Sequence, residues 1–136
     1  MKLGVYLINL DSSTDRLAQA SAELKKHNIE FERISAVDGR KLDVKTYAAY
    51  NSTRSNAYTG RDLIGAEIGC YLSHKKALET FVQSEHEFAL ILEDDLSLVN
   101  NFNEVLNKTM NYLHDHVVNW AVINVEKKKK RLAKPI

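Results

Sequence analysis

The stretch LGVYLINLDSSTDRLAQASAELKKHNIEFERIS, residues 3–35, decides the fold. Residues 3–8 are an apolar run containing β-branched side chains, the composition of a buried strand. The run gives way to Asn9, Leu10, Asp11 and Ser12, where polar side chains favour turns and helix caps. Ser12, with Asp15 three residues on, resembles a capping box built with the shorter acid. Leu17, Ala20 and Leu24 then recur at helical spacing toward Asn28. Residues 29–34 (IEFERI) alternate apolar and charged, which predicts a second strand. Strand, helix, strand over so short a span is the sequence form of a parallel crossover.

The pattern continues outward. Residues 38–65 carry Gly39, Gly60 and Gly65 among many Asn, Ser, Thr and Arg residues, and predict a long, partly irregular connection of the kind that usually has a function. Residues 67–84 are expected as a helix with Leu72, Leu78, Phe81 and Val82 as its apolar stripe, and residues 88–92 as a strand. Asn101 and Glu104 cap a further expected helix bearing Phe102, Val105, Leu106, Met110 and Leu113 on one face. Residues 120–125 predict a last strand. Strands alternating with helices give an α/β fold with a mostly parallel sheet.

Composition narrows the function classes. A chain of 136 residues, 44% apolar and 27% charged, is one globular domain rather than a disordered segment. Nineteen basic and 18 acidic side chains leave a formal charge of +1, so no concentrated basic face speaks for nucleic acid. The single cysteine, Cys70, excludes an intrachain disulfide and a zinc site of several thiolates, and is expected as a small buried side chain. The first apolar run is too short for a signal peptide or a membrane span, which gives a cytoplasmic reading. The basic run at residues 127–131 reads as a solvated, flexible end over 127–136. Its alternative is weak attraction to the anionic inner-membrane surface, at about 1 kcal/mol per charge.

Chemistry collects at the strand ends. In open α/β sheets ligands bind outside the carboxyl ends of the strands. There this chain carries Asn9 and Asp11, then Asp38, then the acidic triplet Glu93, Asp94 and Asp95. Alternation along a strand would set Glu93 and Asp95 on one side and Asp94 on the other. Two carboxylates about 6 Å apart repel by about 0.7 kcal/mol in water and about 3 kcal/mol at an effective dielectric near 20. A divalent cation with oxygen ligands relieves that repulsion, while a strand end that simply reaches solvent has no need of one. Arg16 has two readings, a phosphate contact or an ion pair with Asp15 or Asp11. Asp38 and Gly39 read as a turn with Gly39 at positive φ, and Glu67 either caps its helix or orients His74.

Four segments in order, VYLINLDSSTDR (5–16), ISAVDGR (34–40), EIGCYLSHKKAL (67–78) and LILEDD (90–95), resemble glycosyltransferase family 25 over residues 1–106. Many members of that family are β-galactosyltransferases of bacterial lipooligosaccharide or lipopolysaccharide synthesis. The resemblance implies a GT-A-like, Rossmann-related sheet flanked by helices and a UDP-sugar donor whose diphosphate meets Mn2+ or Mg2+. It makes Asp95, with Glu93, the metal ligands, and has Glu93 or Asp94 touch the ribose or a metal-bound water. Asn9, Leu10 and Arg16 would cradle the nucleotide, and Asp38, Ser73 and His74 would be further substrate contacts; the catalytic base stays unassigned. Family members are usually much longer, so residues 1–126 are expected as a truncated, donor-binding half. Two functions follow from the resemblance. One is transfer of a hexose, galactose first, to a lipooligosaccharide or lipopolysaccharide acceptor. The other is a non-catalytic nucleotide-sugar-binding remnant. Expected partners are the UDP-sugar and an oligosaccharide or lipid-linked saccharide, with a homo-oligomer as cover for an exposed sheet edge.

Overall fold

The computed structural model describes residues 2–116 together with Val122 and Ile123. Residues up to Val99 form one compact unit, and Asn100 begins a second. In the first unit β1 (Leu3–Asn9), α1 (Thr14–Lys26) and β2 (Glu32–Ser35) build the expected crossover. A connection with two short 3-10 turns leads to α2 (Ser52–Thr59), then α3 (Gly65–Val82) and β3 (Phe88–Glu93). The sheet order is β2-β1-β3, and both strand pairs are parallel. The architecture is α/β, of the Rossmann-related, GT-A-like kind.

Strand alternation sorts the core onto two faces. Tyr6 and Ile8 of β1, with Ile34 of β2, pack against Ala77 and Phe81 of α3. Leu7 faces the other way, onto Ala20 and Leu24 of α1, joined by Leu17, Ile29, Phe31 and Leu92. Burying β1 on both faces explains why it reads as a continuous apolar run.

Several local expectations change. Ser13 rather than Ser12 caps α1, without a side-chain cap bond, because the Ser13 amide donates to the Leu10 carbonyl (2.9 Å) and starts the helix one residue later. β2 begins at Glu32 because Asn28 turns left-handed at φ 53° and the Ile29 amide closes onto Leu24. α3 buries Ile68, Gly69, Ser73 and Ala77 rather than Leu72, Leu78 and Val82, and Val82 is 78% exposed. Small residues are selected there because the backbone of Val37 and Gly39 lies against that face. Gly39 is not at positive φ; a Cβ on it would stand 2.1 Å from the Gly65 carbonyl oxygen, so it is small for close approach. Cys70 is exposed, because it lies outside the buried 69-73-77 stripe.

α2 stands where an irregular connection was expected. The Asn51 side chain accepts the Arg54 amide at its start, and Gly60 ends it in the left-handed conformation at φ 74°. In the second unit, α4 (Phe102–His116) buries Met110 and Leu113 and leaves Val105 exposed. Apart from Val122 and Ile123, the strand expected at 120–125 lies outside the described residues, as does the tail at 127–136. Among the described residues no helix is long and apolar enough to cross a membrane.

Candidate functional site

β1 is followed by β2 on one side and flanked by β3 on the other, so the strand order reverses between β1 and β3. Such a switch leaves a crevice at the carboxyl ends of the two strands. Here Ile8 pairs in register with Glu93, which brings Asn9 beside Asp94. The Asn9 amide nitrogen donates to the Asp94 carboxylate at 2.7 Å and to the Ser13 carbonyl at 3.1 Å. Arg16, in the first turn of α1, reaches the other Asp94 oxygen at 2.5 Å and Asp95 at 3.6 Å. Arg16 therefore pairs with the triplet, not with Asp15 or Asp11.

Asp94 is 9% exposed and held by both Asn9 and Arg16, whereas Asp95 is 73% exposed. Asp94 keeps the parity of Leu92 and points to the α1 face. Alternation stops there, because the strand ends at Glu93 and a turn begins. Asp95 thus joins Asp94 at Arg16 instead of sharing the direction of Glu93. A shallow groove lined by Arg16, Gln19, Asp94, Asp95 and Ser97 runs along this side.

Glu93 points to the α3 face. The His74 Nε2–H donates to its Oε1 at 3.0 Å, with that tautomer assigned because a carboxylate only accepts. Cys70, one turn earlier on α3, places its Sγ 3.9 Å from the same oxygen. Partial desolvation and the Glu93 carboxylate push the Cys70 thiol up.

Around this centre most polar groups hold the scaffold. Ser73 is buried, donating to the Gly69 carbonyl (2.6 Å) and accepting from the Val37 amide (2.9 Å), which ties the post-β2 loop to α3. Asp38 is gripped by Arg40 through Nε and Nη2, both at 2.8 Å, and that guanidinium holds its carboxyl down at about 2. Glu67 accepts the Ile64 amide at the start of α3 and pairs with Arg61, whose guanidinium holds it at about 2; Glu67 does not orient His74. Leu10 sits in the turn from β1 to α1, where its carbonyl accepts the Ser13 amide.

Arg33 is a site residue that the sequence reading passed over. Its guanidinium donates to the Asn9 side-chain oxygen (3.1 Å), the Asn9 carbonyl (3.3 Å) and Asp11 (2.6 Å). Hydrogen bonds from Arg33, and then from Ser35, hold the Asp11 carboxyl below its usual range. The available signal was a charged residue two positions after Phe31, on the strand side that faces the α1 core.

Among the described residues, an expected Mn2+ or Mg2+ finds fitting donors in part. Asp95 offers an exposed carboxylate with one long ion pair, and Glu93 is 53% exposed. Hard oxygen donors of this kind suit either ion. Asp94 is engaged by Asn9 and Arg16, so it supports the strand ends.

Comparison with known proteins bears on this arrangement. The model of glycosyltransferase family 25, described as LPS biosynthesis protein, matches residues 2–135. The chain is 29% identical to human procollagen galactosyltransferase 2 over 135 residues, 96% of the chain and 22% of that protein. Procollagen galactosyltransferase 1 of Danio rerio is also 29% identical over 135 residues, with the same shares covered. Human inactive glycosyltransferase 25 family member 3 is 30% identical over 132 residues, 91% of the chain and 22% of that protein. The chain thus spans 22% of the length of these relatives. No solved structure matches it. With the family model matching residues 2–135, nearly the whole chain, this chain belongs to glycosyltransferase family 25.

Proposed function

We propose that the carboxyl ends of β1 and β3 bind a UDP-sugar donor, and that the protein transfers a hexose, galactose first, to an oligosaccharide or lipid-linked saccharide acceptor. What carries the reading is the Asn9–Asp94 hydrogen bond across the switch point, with exposed Asp95 and half-exposed Arg16 beside it. Relatives named galactosyltransferases support the sugar. The family's description as LPS biosynthesis proteins supports a lipooligosaccharide or lipopolysaccharide acceptor.

Asn9 and Asp94 fix the two strand ends, so that the crevice is formed before the donor arrives. Arg33 restrains Asn9 from the β2 side. A guanidinium has five N–H donors, so Arg16 can serve Asp94 and a diphosphate oxygen together. Asp95, on the Arg16 side, would hold the divalent ion, which when bound supplies neutralisation of the leaving diphosphate, and Glu93, on the α3 side, would touch the ribose or a metal-bound water. His74 orients the Glu93 carboxylate.

A second reading is a nucleotide-sugar-binding domain without turnover. It is favoured by the similarity to a relative named inactive and by the commitment of Asp94 to Arg16 and Asn9. Release of UDP from UDP-galactose, measured with and without Mn2+ and with a lipooligosaccharide acceptor, separates the two. Metal-dependent release raised by acceptor is expected. UDP binding without release supports the second reading, and absence of both removes the donor site.

A further inference from the structure

The α3 side of the crevice carries a donor set of which the proposed transfer uses Glu93 and its partner His74 but not Cys70. Cys70 and His74 are four residues apart on α3, on the same helical face, and both aim at Glu93 of β3. The Cys70 Sγ, the His74 imidazole nitrogen and a Glu93 oxygen all lie within 4.8 Å of one another. We propose that Cys70, His74 and Glu93 form a site for a borderline transition metal, Zn2+ by preference, with a fourth position open to water or a ligand.

The chemistry of the donors selects the ion. Thiolate and imidazole favour Zn2+ over Mg2+ or Mn2+, and the general affinity order runs the same way. Zinc bonds of about 2.0–2.3 Å at tetrahedral angles put ligand atoms about 3.3–3.7 Å apart. The separations are 3.0 Å from His74 to Glu93, 3.9 Å from Cys70 to Glu93, and within 4.8 Å from Cys70 to His74. Exposed side chains make up that difference by small rotations. The Cys70 thiol gives its proton to solvent on binding. Three protein ligands with one open position is the arrangement of a zinc site accessible to exogenous ligand. Glu93 is shared with the donor site of the proposed function, so zinc here would withdraw it from the donor. The zinc site itself does not rest on that reading.

Cobalt is the probe, because a Co2+–thiolate bond gives a near-ultraviolet charge-transfer band and Cys70 is the chain's single cysteine. Titrating the 136-residue chain with Co2+ should raise that band to one equivalent, and one equivalent of Zn2+ should abolish it. Cys70→Ser should eliminate the band. His74→Ala and Glu93→Ala should each weaken binding by ~100-fold, at the upper end of what even outer-shell partners cost. Circular dichroism should be unchanged in all three, since the residues are exposed or half-exposed. No band in the unaltered chain overturns the site. A band that survives both His74→Ala and Glu93→Ala at full affinity also overturns it, since the thiol would then bind alone. Neither readout involves UDP or Asp95, so failure here is distinct from failure of the donor site.

Discussion

The two sides of the crevice are built in opposite ways. On the α1 side, the Asp94 carboxylate is largely enclosed and held by Asn9 and Arg16, while Asp95 beside it stays exposed. On the α3 side, Cys70, His74 and Glu93 are exposed or half-exposed, and rigidity comes from backbone contact of Gly39 with Gly65 and Gly69. A side held by mutually paired side chains cannot exchange partners cheaply. A side held by backbone leaves its side chains available to a ligand.

That contrast can be broken from either side. The largest effect is expected at Gly39→Ala, where the new Cβ meets backbone 2.1 Å away and cannot be relieved by a rotamer. Urea unfolding should report a loss of about 3 kcal/mol, the upper end for overpacking; a loss under about 1 kcal/mol would mean that backbone contact does not hold the α3 side. Asp94→Ala should cost about 2 kcal/mol in the same assay, since it strands the Asn9 amide and the Arg16 guanidinium, with Arg16 recovering part from solvent. Ser73→Ala should cost about 1.5 kcal/mol by leaving the Val37 amide without its acceptor.

The smallest effect is in acid. Arg40 and Arg61 hold Asp38 and Glu67 at about 2, below the unfolded range near 4. A depressed folded pKa contributes stability above the unfolded value, and that contribution is lost as pH falls through the folded one. Melting temperature should therefore fall between pH 4.5 and 2, and Arg61→Ala should flatten part of the slope. In both pairs the arginine is exposed and the acid partly so, so added salt should flatten it too. An unchanged slope in Arg61→Ala would remove Glu67 from the account.

The crossover was legible because burial marks sequence locally, as a continuous apolar run in β1 and a helical period in α1. Residues 3–8 and the spacing of Leu17, Ala20 and Leu24 needed nothing beyond local pattern. α2 was not legible because it has no apolar stripe and buries only Ser55; its ends are set by Asn51 and Gly60. The buried face of α3 was misjudged because close backbone approach selects Gly69, Ser73 and Ala77, which hydrophobicity ranks below leucine. Strand alternation described the triplet up to Asp94, and failed at Asp95 because turn geometry replaces the pleat there. Arg33 is a long-range contact to Asp11, and no local signal pairs those residues.

The central claim is that the acids at the end of β3 serve a nucleotide-sugar donor. Calorimetric titration of the chain with UDP, with and without Mn2+, tests it most directly, with Asp95→Ala as the control. Mn2+ should tighten UDP binding at least tenfold, about 1.4 kcal/mol, and Asp95→Ala should abolish that gain while the fold is kept. UDP affinity indifferent to both Mn2+ and Asp95→Ala would contradict the claim.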